Sequence, residues 1–144
     1  DFPSPPLQGK APFMIRLSFR SASAALAGLL FMLSPALGGE LRPWDAAAFD
    51  AAQAAGQPVL IHVTAPWCPT CRAQKPAVEA LAADPAHPDL LVLDVDFDSQ
   101  KDVLRRFGVR QQSTLIAFDD GVETGRSVGV TQPGQIAALV SGNS

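Results

Sequence analysis

Cysteine, histidine and basic residues are all scarce in this chain of 144 residues. It contains only two cysteines and two histidines, whereas zinc needs four ligands at a suitable spacing, which His62 and His87 do not provide. A metal site is therefore not expected. Lysine and arginine together number 11 against 14 acidic residues, so the formal net charge is −3 and no basic surface is expected for nucleic acid.

The length suits one domain with a sizeable hydrophobic core, and composition divides the chain into three segments. Residues 1–13 contain four prolines and no methionine, and we interpret them as upstream or vector-encoded sequence outside the fold. Residues 14–38 are interpreted as an export segment, and residues 39–144 as the globular domain. The domain contains no repeat and no low-complexity tract.

The export segment has the composition of a secretory signal peptide. Arg16 and Arg20 form a basic start, an uncharged stretch rich in alanine and leucine follows, and Ala36-Leu37-Gly38 is a small-x-small cleavage site. The alternative is an uncleaved membrane anchor, because residues 21–39 carry no charge and approach the length that spans a bilayer. A bacterial periplasm is the expected location, since catalytic disulfides persist there.

The only two cysteines, Cys68 and Cys71, lie at the junction of a predicted strand and a predicted helix. Residues 58–64 are apolar and β-branched, as in a buried strand, and residues 69–83 are rich in helix-forming side chains. Cys68 is therefore expected near the helix N-terminus, where free backbone N–H groups and the helix dipole favour a reactive thiolate. Cys71 follows on the same helix face and can close a disulfide with Cys68.

Three other interpretations of the cysteine pair are weaker. A structural disulfide across so short a loop would constrain the unfolded chain by only about 2 kcal/mol. A zinc half-site lacks its remaining ligands, and a chance pair of inert core thiols is the third possibility. A Cys-x-x-Cys pair beside a β-α-β pattern is instead typical of redox chemistry.

Hydrophobic periodicity and capping residues predict the other elements. They are a helix over 46–55 capped by Asp45, a strand over 90–97, a helix over 100–107 capped by Ser99, a strand over 114–118, a hairpin turn at 119–121, a strand over 122–128 and a helix over 132–141 capped by Thr131. Pro76 is expected to kink the motif helix. Strands that alternate with helices and end in a hairpin and a helix predict a three-layer α/β sandwich with a mixed sheet.

Several of these features together resemble the thioredoxin family. They are the motif Trp67-Cys68-Pro69-Thr70-Cys71, the proline at Pro76, the segment Phe107-Gly108-Val109-Arg110, the hairpin over 114–121 and Gly129. The resemblance extends over about residues 44–142. It implies a thioredoxin-like α/β/α sandwich with a central mixed β-sheet, and it implies thiol–disulfide exchange.

Thiol–disulfide exchange gives each motif residue an expected role. The Cys68 thiolate attacks a substrate disulfide, and Cys71 resolves the mixed disulfide by forming the Cys68–Cys71 disulfide, so no cofactor is required. Trp67 is expected either to offer an apolar wall to a docking polypeptide or to pack in the core. Pro69 and Thr70 complete the expected substrate surface and set the redox poise of the pair.

The resemblance of the motif around Pro69-Thr70 favours a reductant over an oxidant, which is the less favoured alternative. The motif resembles that of periplasmic reductants that serve cytochrome c maturation, although this sequence lacks the insert that those proteins carry after the motif helix. We therefore expect a monomeric reductase of protein disulfides, supplied with electrons by a thiol donor that could be a membrane protein. Cytochrome c maturation is the nearest alternative, and a non-catalytic thioredoxin-fold chaperone or metal-handling module is another.

One position departs from the family pattern. Thioredoxin relatives have a cis-proline directly before the strand that begins here at Thr114, whereas this chain has Ser113. A cis bond before a non-proline residue costs roughly 3 kcal/mol, so we predict a trans Gln112–Ser113 bond, a reshaped loop and a Ser113 hydroxyl near the thiols. Ser113 and Thr114 are also expected to contact substrate. In the alternative, Ser113 is an ordinary residue at the strand start.

A second departure concerns the residues beneath the cysteine pair. His62 lies six residues before Cys68, where thioredoxins have a buried carboxylate, and Asp94 lies where they have its lysine partner. Both sit in apolar runs, so we predict an at least partly buried pair in which His62 takes the proton of Cys71 and Asp94 orients the ring. Asp96 is a competing partner, and a histidine satisfied by the backbone is the alternative.

Overall fold

The computed structural model describes residues 38–142, which form five strands and four helices. In chain order they are β1 (Glu40–Pro43), α1 (Ala46–Ala54), β2 (Val59–Thr64), α2 (Pro69–Ala82), β3 (Leu91–Asp96), α3 (Lys101–Arg106), β4 (Thr114–Asp119), β5 (Val122–Val128) and α4 (Pro133–Val140). The predicted upstream segment and, apart from Gly38, the predicted signal peptide lie outside the described residues. Within residues 38–142, no helix is long and apolar enough to cross a membrane.

The strands form one mixed sheet in the order β1-β3-β2-β4-β5. β3 lies between β1 and β2 and runs parallel to both, while β4 runs antiparallel to β2 and to β5. Helices cover both faces of the sheet, so the predicted three-layer α/β sandwich is confirmed. β2 lies at the centre and is buried on both faces, which explains its continuous apolar sequence.

Side chains alternate between the two faces of the sheet and build two cores. On the face covered by α1 and α3 lies the aromatic core, which is grouped around four rings whose neighbouring centroids are 5.2 to 5.9 Å apart: Trp44, Phe49, Phe107 and Phe118. On the face covered by α2 and α4 lies the aliphatic core, which includes Leu60, Val78, Leu81, Val92, Leu115, Ile136 and Leu139. The sheet thus separates two cores of different chemistry.

The strand β1 was not predicted from the sequence. Its four residues include Glu40, Arg42 and Pro43, which are poor strand formers. β1 forms the edge of the sheet and pairs on one side only, with β3. Charged residues and proline are typical of edge strands, because they discourage pairing with a further chain.

Of the three predicted helix caps, one is confirmed and two are wrong. The Asp45 carboxylate accepts hydrogen bonds from the N–H groups of Ala47 and Ala48, at 2.9 and 3.2 Å. Ser99 instead donates from its hydroxyl to Asp96, at 2.6 Å, so it stabilises the turn after β3 and does not cap α3. Thr131 is likewise no cap, because α4 begins one residue later than predicted, after Gln132 and with a proline as its first residue.

The predicted hairpin turn between β4 and β5 is confirmed. Asp120 and Gly121 form a two-residue loop, and both have positive φ angles, of 48° and 76°. This is the conformation of a type I′ turn, whose twist suits the flanking antiparallel strands and which Asp-Gly adopts readily. Pro76 lies inside α2 as expected, and the kink there stays a prediction.

Candidate active site

The cysteine motif begins where β2 ends and α2 starts. Cys68 occupies the N-cap position of α2 in an extended conformation, and its sulfur accepts a hydrogen bond from the Cys71 N–H at 3.2 Å. Pro69 is the first residue of the helix, where the lack of an N–H group has no consequence. Both cysteines are free thiols and only 2% exposed. The disulfide between them stays a prediction.

The surroundings of Cys68 stabilise its thiolate. Burial by itself raises the pKa of this thiol, but hydrogen bonds from the side chains of Cys71 and Ser113 and from the backbone of Cys71 and Thr70 outweigh it. Together they lower the pKa of Cys68 from its ordinary value of 9.0 to about 7. A substantial fraction of Cys68 is therefore a thiolate at neutral pH, and the thiolate is the nucleophilic form.

The loop before β4 brings Ser113 onto both sulfurs. Its hydroxyl oxygen lies 3.2 Å from the sulfur of Cys68 and 3.1 Å from that of Cys71. There is no cis peptide bond within residues 38–142, so the Gln112–Ser113 bond is trans as predicted. Ser113 has a φ of 61°, which is uncommon for serine, so it is not an ordinary residue at the start of a strand.

Sequence reasoning missed Gln74, which holds this loop in place. The Gln74 side chain is fully buried, and its amide nitrogen donates to the carbonyls of Ser113, at 3.1 Å, and Val130, at 2.7 Å. The sequence signal that could have identified Gln74 is its position in the helix. Gln74 falls three residues after Cys71 and four before Val78, on the face of α2 that is otherwise apolar and buried. A glutamine there needs buried partners, which only the folded loops supply.

The predicted pair of His62 and Asp94 is confirmed. The two residues are opposite each other in the β2–β3 register, and Nδ1 of the ring lies 2.9 Å from the Asp94 carboxylate. His62 follows Leu60 on the same face of β2, so its ring lies on the side that α2 and Cys71 cover. The competing partner Asp96 is occupied by the turn after β3, where it accepts from Ser99.

The other ring nitrogen of His62 is the unusual part of this pair. Nε2 is buried and has no hydrogen-bond partner among the described residues. When Nδ1–H donates to a carboxylate, Nε2 carries the lone pair and can accept a proton. The structure shows no hydrogen bond between His62 and either sulfur within residues 38–142, so proton transfer from Cys71 stays a prediction.

The remaining predicted site residues differ in exposure, from Trp67 at the surface to the buried Thr114. Trp67 is 54% exposed and donates from its ring nitrogen to Asp98 at 2.7 Å, so the core-packing alternative for Trp67 is wrong. Pro69 is exposed and Thr70 half-buried in the first turn of α2. Thr114 is buried and donates from its hydroxyl to the Gln111 carbonyl at 2.7 Å. Contact of these residues with substrate stays a prediction.

Comparisons with known proteins agree with this geometry. The family model described as thioredoxin matches residues 41–142. A thioredoxin from Chlamydia muridarum is 39% identical over 83 residues, which cover 58% of this chain and 79% of the relative. The crystal structure of Trxlp from Edwardsiella tarda is similar with a TM-score of 0.67 and 46% identity, covering 70% of this chain and 98% of that chain. A variant thioredoxin from Halobacterium salinarum gives a TM-score of 0.60 at 26% identity, covering 72% and 88%.

The fold and its paired thiols therefore define a thiol–disulfide oxidoreductase. Two free cysteines lie one helical turn apart at the N-terminus of α2, and the pKa of the first is lowered to about 7. The chain belongs to the thioredoxin family. Its substrates are protein disulfides, as for thioredoxins in general. Within residues 38–142, no group of three or more His, Cys, Asp or Glu side chains is arranged to hold a metal ion.

Proposed function

We propose that this protein reduces disulfides of exported proteins in the bacterial periplasm through a Cys68–Cys71 cycle. The observation that supports the proposal best is the environment of Cys68, a helix N-cap thiol whose pKa of about 7 is matched to neutral pH. An attacking thiol is most effective when its pKa lies near the ambient pH, because thiolate content and nucleophilicity are then balanced. The second thiol needed for resolution lies beside it.

The cycle conserves atoms and electrons without a cofactor. The Cys68 thiolate attacks one sulfur of the substrate disulfide, and the other substrate sulfur leaves as a thiolate that takes a proton from water. Cys71 then loses its proton and attacks the Cys68 sulfur, and the second substrate sulfur leaves. Two electrons have passed to the substrate, and the protein holds a Cys68–Cys71 disulfide that a thiol donor reduces in a further exchange.

In this proposal, the pair of His62 and Asp94 handles the proton of Cys71. Asp94 accepts from Nδ1 and fixes the ring, which leaves the buried Nε2 as the proton acceptor on the α2 side of the sheet. A base of this kind accelerates the second attack and has no part in the first.

The substrate groups in this proposal are the exposed side chains around Cys68. Trp67 and Pro69 offer apolar surface beside the buried thiol, and Thr70 is half-buried in the same helical turn, while the buried Ser113 and Thr114 would contact substrate only from the loop behind them. The chain between α2 and β3 consists of residues 83–90 only, so the insert of the cytochrome c maturation reductants has no counterpart here. This favours a general reductase, working as a monomer with a thiol donor, over a cytochrome c maturation protein.

Export to the periplasm is the other component of the proposal, and its support is the sequence of residues 14–38. A fusion of alkaline phosphatase to the C-terminus of the full chain tests it, because that enzyme is active only where its disulfides form. We expect active fusion protein in the periplasmic fraction. The matched control replaces Arg16 and Arg20 by glutamate and should lower the periplasmic yield. Activity in a cytoplasmic reporter alone, with none from the phosphatase fusion, would contradict export.

The redox direction is tested by equilibrating the protein with glutathione buffers and following the thiol state. We expect a reduction potential of roughly −270 mV, as for thioredoxin, and reduction of insulin disulfides by the dithiol form. A potential near −120 mV would identify an oxidant instead. A protein lacking both cysteines that still suppresses insulin aggregation would favour the chaperone alternative.

A further inference from the structure

Among the described residues, Ser113 is the only one whose side chain lies within hydrogen-bonding distance of both sulfurs. We propose that Ser113 is a third catalytic residue of the exchange, whose hydroxyl donates a hydrogen bond to whichever sulfur carries the negative charge, and that Gln74 positions it. This inference rests on the proposed function, since it assigns a role within the same cycle. It differs from substrate binding, the role that the sequence indicates for Ser113.

The distances make the hydroxyl a shared donor. It lies 3.2 Å from one sulfur and 3.1 Å from the other, so neither is preferred by position. A serine hydroxyl has a single proton and rotates freely, so it can donate to only one sulfur at a time. A thiolate is a stronger acceptor than a thiol, and the proton will therefore follow the charge.

The backbone of Ser113 is held in an unfavourable conformation. The φ of 61° is rare for residues other than glycine, asparagine and aspartate. It is maintained because the Ser113 N–H donates to Val63 at 2.8 Å, and its carbonyl accepts from Gly129 at 2.9 Å and from Gln74 at 3.1 Å. Backbone strain that the surroundings enforce in this way is common at active sites, where it aims a functional group.

The role of the hydroxyl changes in the course of one cycle. In the reduced protein it donates to the Cys68 thiolate and helps to keep that thiol ionised. Once Cys68 is bound to the substrate in a mixed disulfide, its sulfur is uncharged, and the hydroxyl rotates to the Cys71 sulfur as that thiol loses its proton. Ser113 keeps its own proton throughout, so it forms no covalent bond and exchanges no electrons.

The alternative is that Ser113 hydrogen-bonds to the sulfurs only because its buried hydroxyl needs a partner, and that it has no role in the exchange. The test compares Ser113→Ala with Ser113→Gly in the full-length reduced protein. Both variants lack the hydroxyl, but glycine adopts a positive φ without strain and so preserves the loop if alanine disturbs it. Ser141→Ala is the matched control, because it removes an exposed hydroxyl that contacts only the Ala137 carbonyl.

The first readout is the rate of Cys68 alkylation by iodoacetamide as a function of pH. We expect Ser113→Ala and Ser113→Gly each to raise the pKa of Cys68 by about one, which lowers the alkylation rate at pH 6 about tenfold. Gln74→Leu should shift the profile in the same direction by less. His62 and Asp94 beneath α2, and the charged residues of α2 itself, are unchanged in the Ser113 variants and contribute equally to each profile.

The second readout is the rate at which Cys71 releases substrate from a preformed mixed disulfide. We expect both Ser113 variants to slow this release severalfold, while Ser141→Ala leaves both readouts unchanged. The proposal is overturned if the alkylation profile of Ser113→Gly matches the unsubstituted protein, since the hydroxyl would then be dispensable. A profile shift in a protein that fails to reduce insulin would support the role of Ser113 and refute the proposed reductase function.

Discussion

The two faces of the sheet differ in what they bury. Under α1 and α3, the core is built mainly of apolar side chains, and four of its five ring pairs contact each other edge to face. Under α2, the buried set includes two polar side chains, His62 on β2 and Gln74 on the helix itself. Each of these has one buried polar atom without a hydrogen-bond partner among the described residues.

This difference assigns the two faces different roles: the aromatic core stabilises the fold, and the α2 face carries the chemistry. Apolar packing stabilises the fold in proportion to the area buried, and the aromatic core provides such packing. Buried polar groups stabilise little and are costly when unpaired. Gln74 differs from an ordinary buried polar group because it holds the loop whose Ser113 hydroxyl lies against both sulfurs, which indicates a function. We therefore expect substitutions in the aromatic core to change the free energy of unfolding, and substitutions on the α2 face to change the rates of exchange.

The largest expected effect comes from the cysteines. Cys68→Ser should abolish reduction of insulin, because no other thiol is positioned to make the first attack. Cys71→Ser should keep the first attack and accumulate a mixed disulfide with substrate, visible by non-reducing electrophoresis. Both variants should unfold close to the same denaturant concentration as the reduced parent protein. Reductase activity at the parent level in Cys68→Ser would refute the enzymatic mechanism.

The aromatic core is tested by Phe49→Ala. The Phe49 ring lies 5.2 Å from that of Phe107 and 5.3 Å from that of Phe118, and its removal leaves a cavity. We expect the free energy of unfolding in urea to fall by about 3–5 kcal/mol. The rate of Cys68 alkylation in the folded fraction should not change. Val122→Ala, at a position that is 64% exposed, is the control and should be nearly neutral.

His62→Leu tests the other face of the sheet, which α2 covers. Leucine fills a similar volume without a proton acceptor, so we expect resolution of the mixed disulfide to slow about a hundredfold or more, within the usual range for a general base. The first attack, measured by alkylation of Cys68, should be nearly unchanged. Asp94→Asn should give a smaller defect of the same kind. If both steps slow equally, the ring has a structural role and the relay is wrong.

The smallest effect concerns pH and the stability of the reduced protein. Folding lowers the pKa of Cys68 from 9.0 to about 7, so the thiolate contributes stability that is fully present above pH 9.0 and is lost as the pH falls through 7. The reduced protein should therefore lose stability relative to Cys68→Ser over this range. Urea unfolding at several pH values measures the difference, and parallel curves for the two proteins would contradict the lowered pKa.

The sequence was sufficient for features that depend on local pattern or on strand register. The apolar run of β2 and the cysteine spacing predicted the strand-to-helix junction. The family resemblance predicted that His62 would meet Asp94, and the parallel register of β2 with β3 places the two residues opposite each other. The trans bond before Ser113 followed from the energy of a cis peptide. All of these require only the residues themselves and one neighbouring strand.

Features that depend on distant segments could not be predicted in this way. β1 forms only because β3 offers a free edge, and its own sequence is unfavourable for a strand. The positive φ of Ser113 results from hydrogen bonds to Val63, Gly129 and Gln74, none of which is near it in the chain. Ser99 was misassigned because its hydroxyl has a stronger acceptor in the Asp96 carboxylate than in the helix backbone.

The two hydrogen bonds of the Gln74 amide also bear on how the protein folds. They join α2 to residues 39 and 56 positions further along the chain. Contacts at such separations form only after long loops have closed, which makes them slow compared with helices and hairpins. A refolding chain can therefore complete its helices and its β4–β5 hairpin before the Ser113 loop is held in place. We expect thiol reactivity to recover after secondary structure does, so that alkylation of Cys68 reports the last stage of folding.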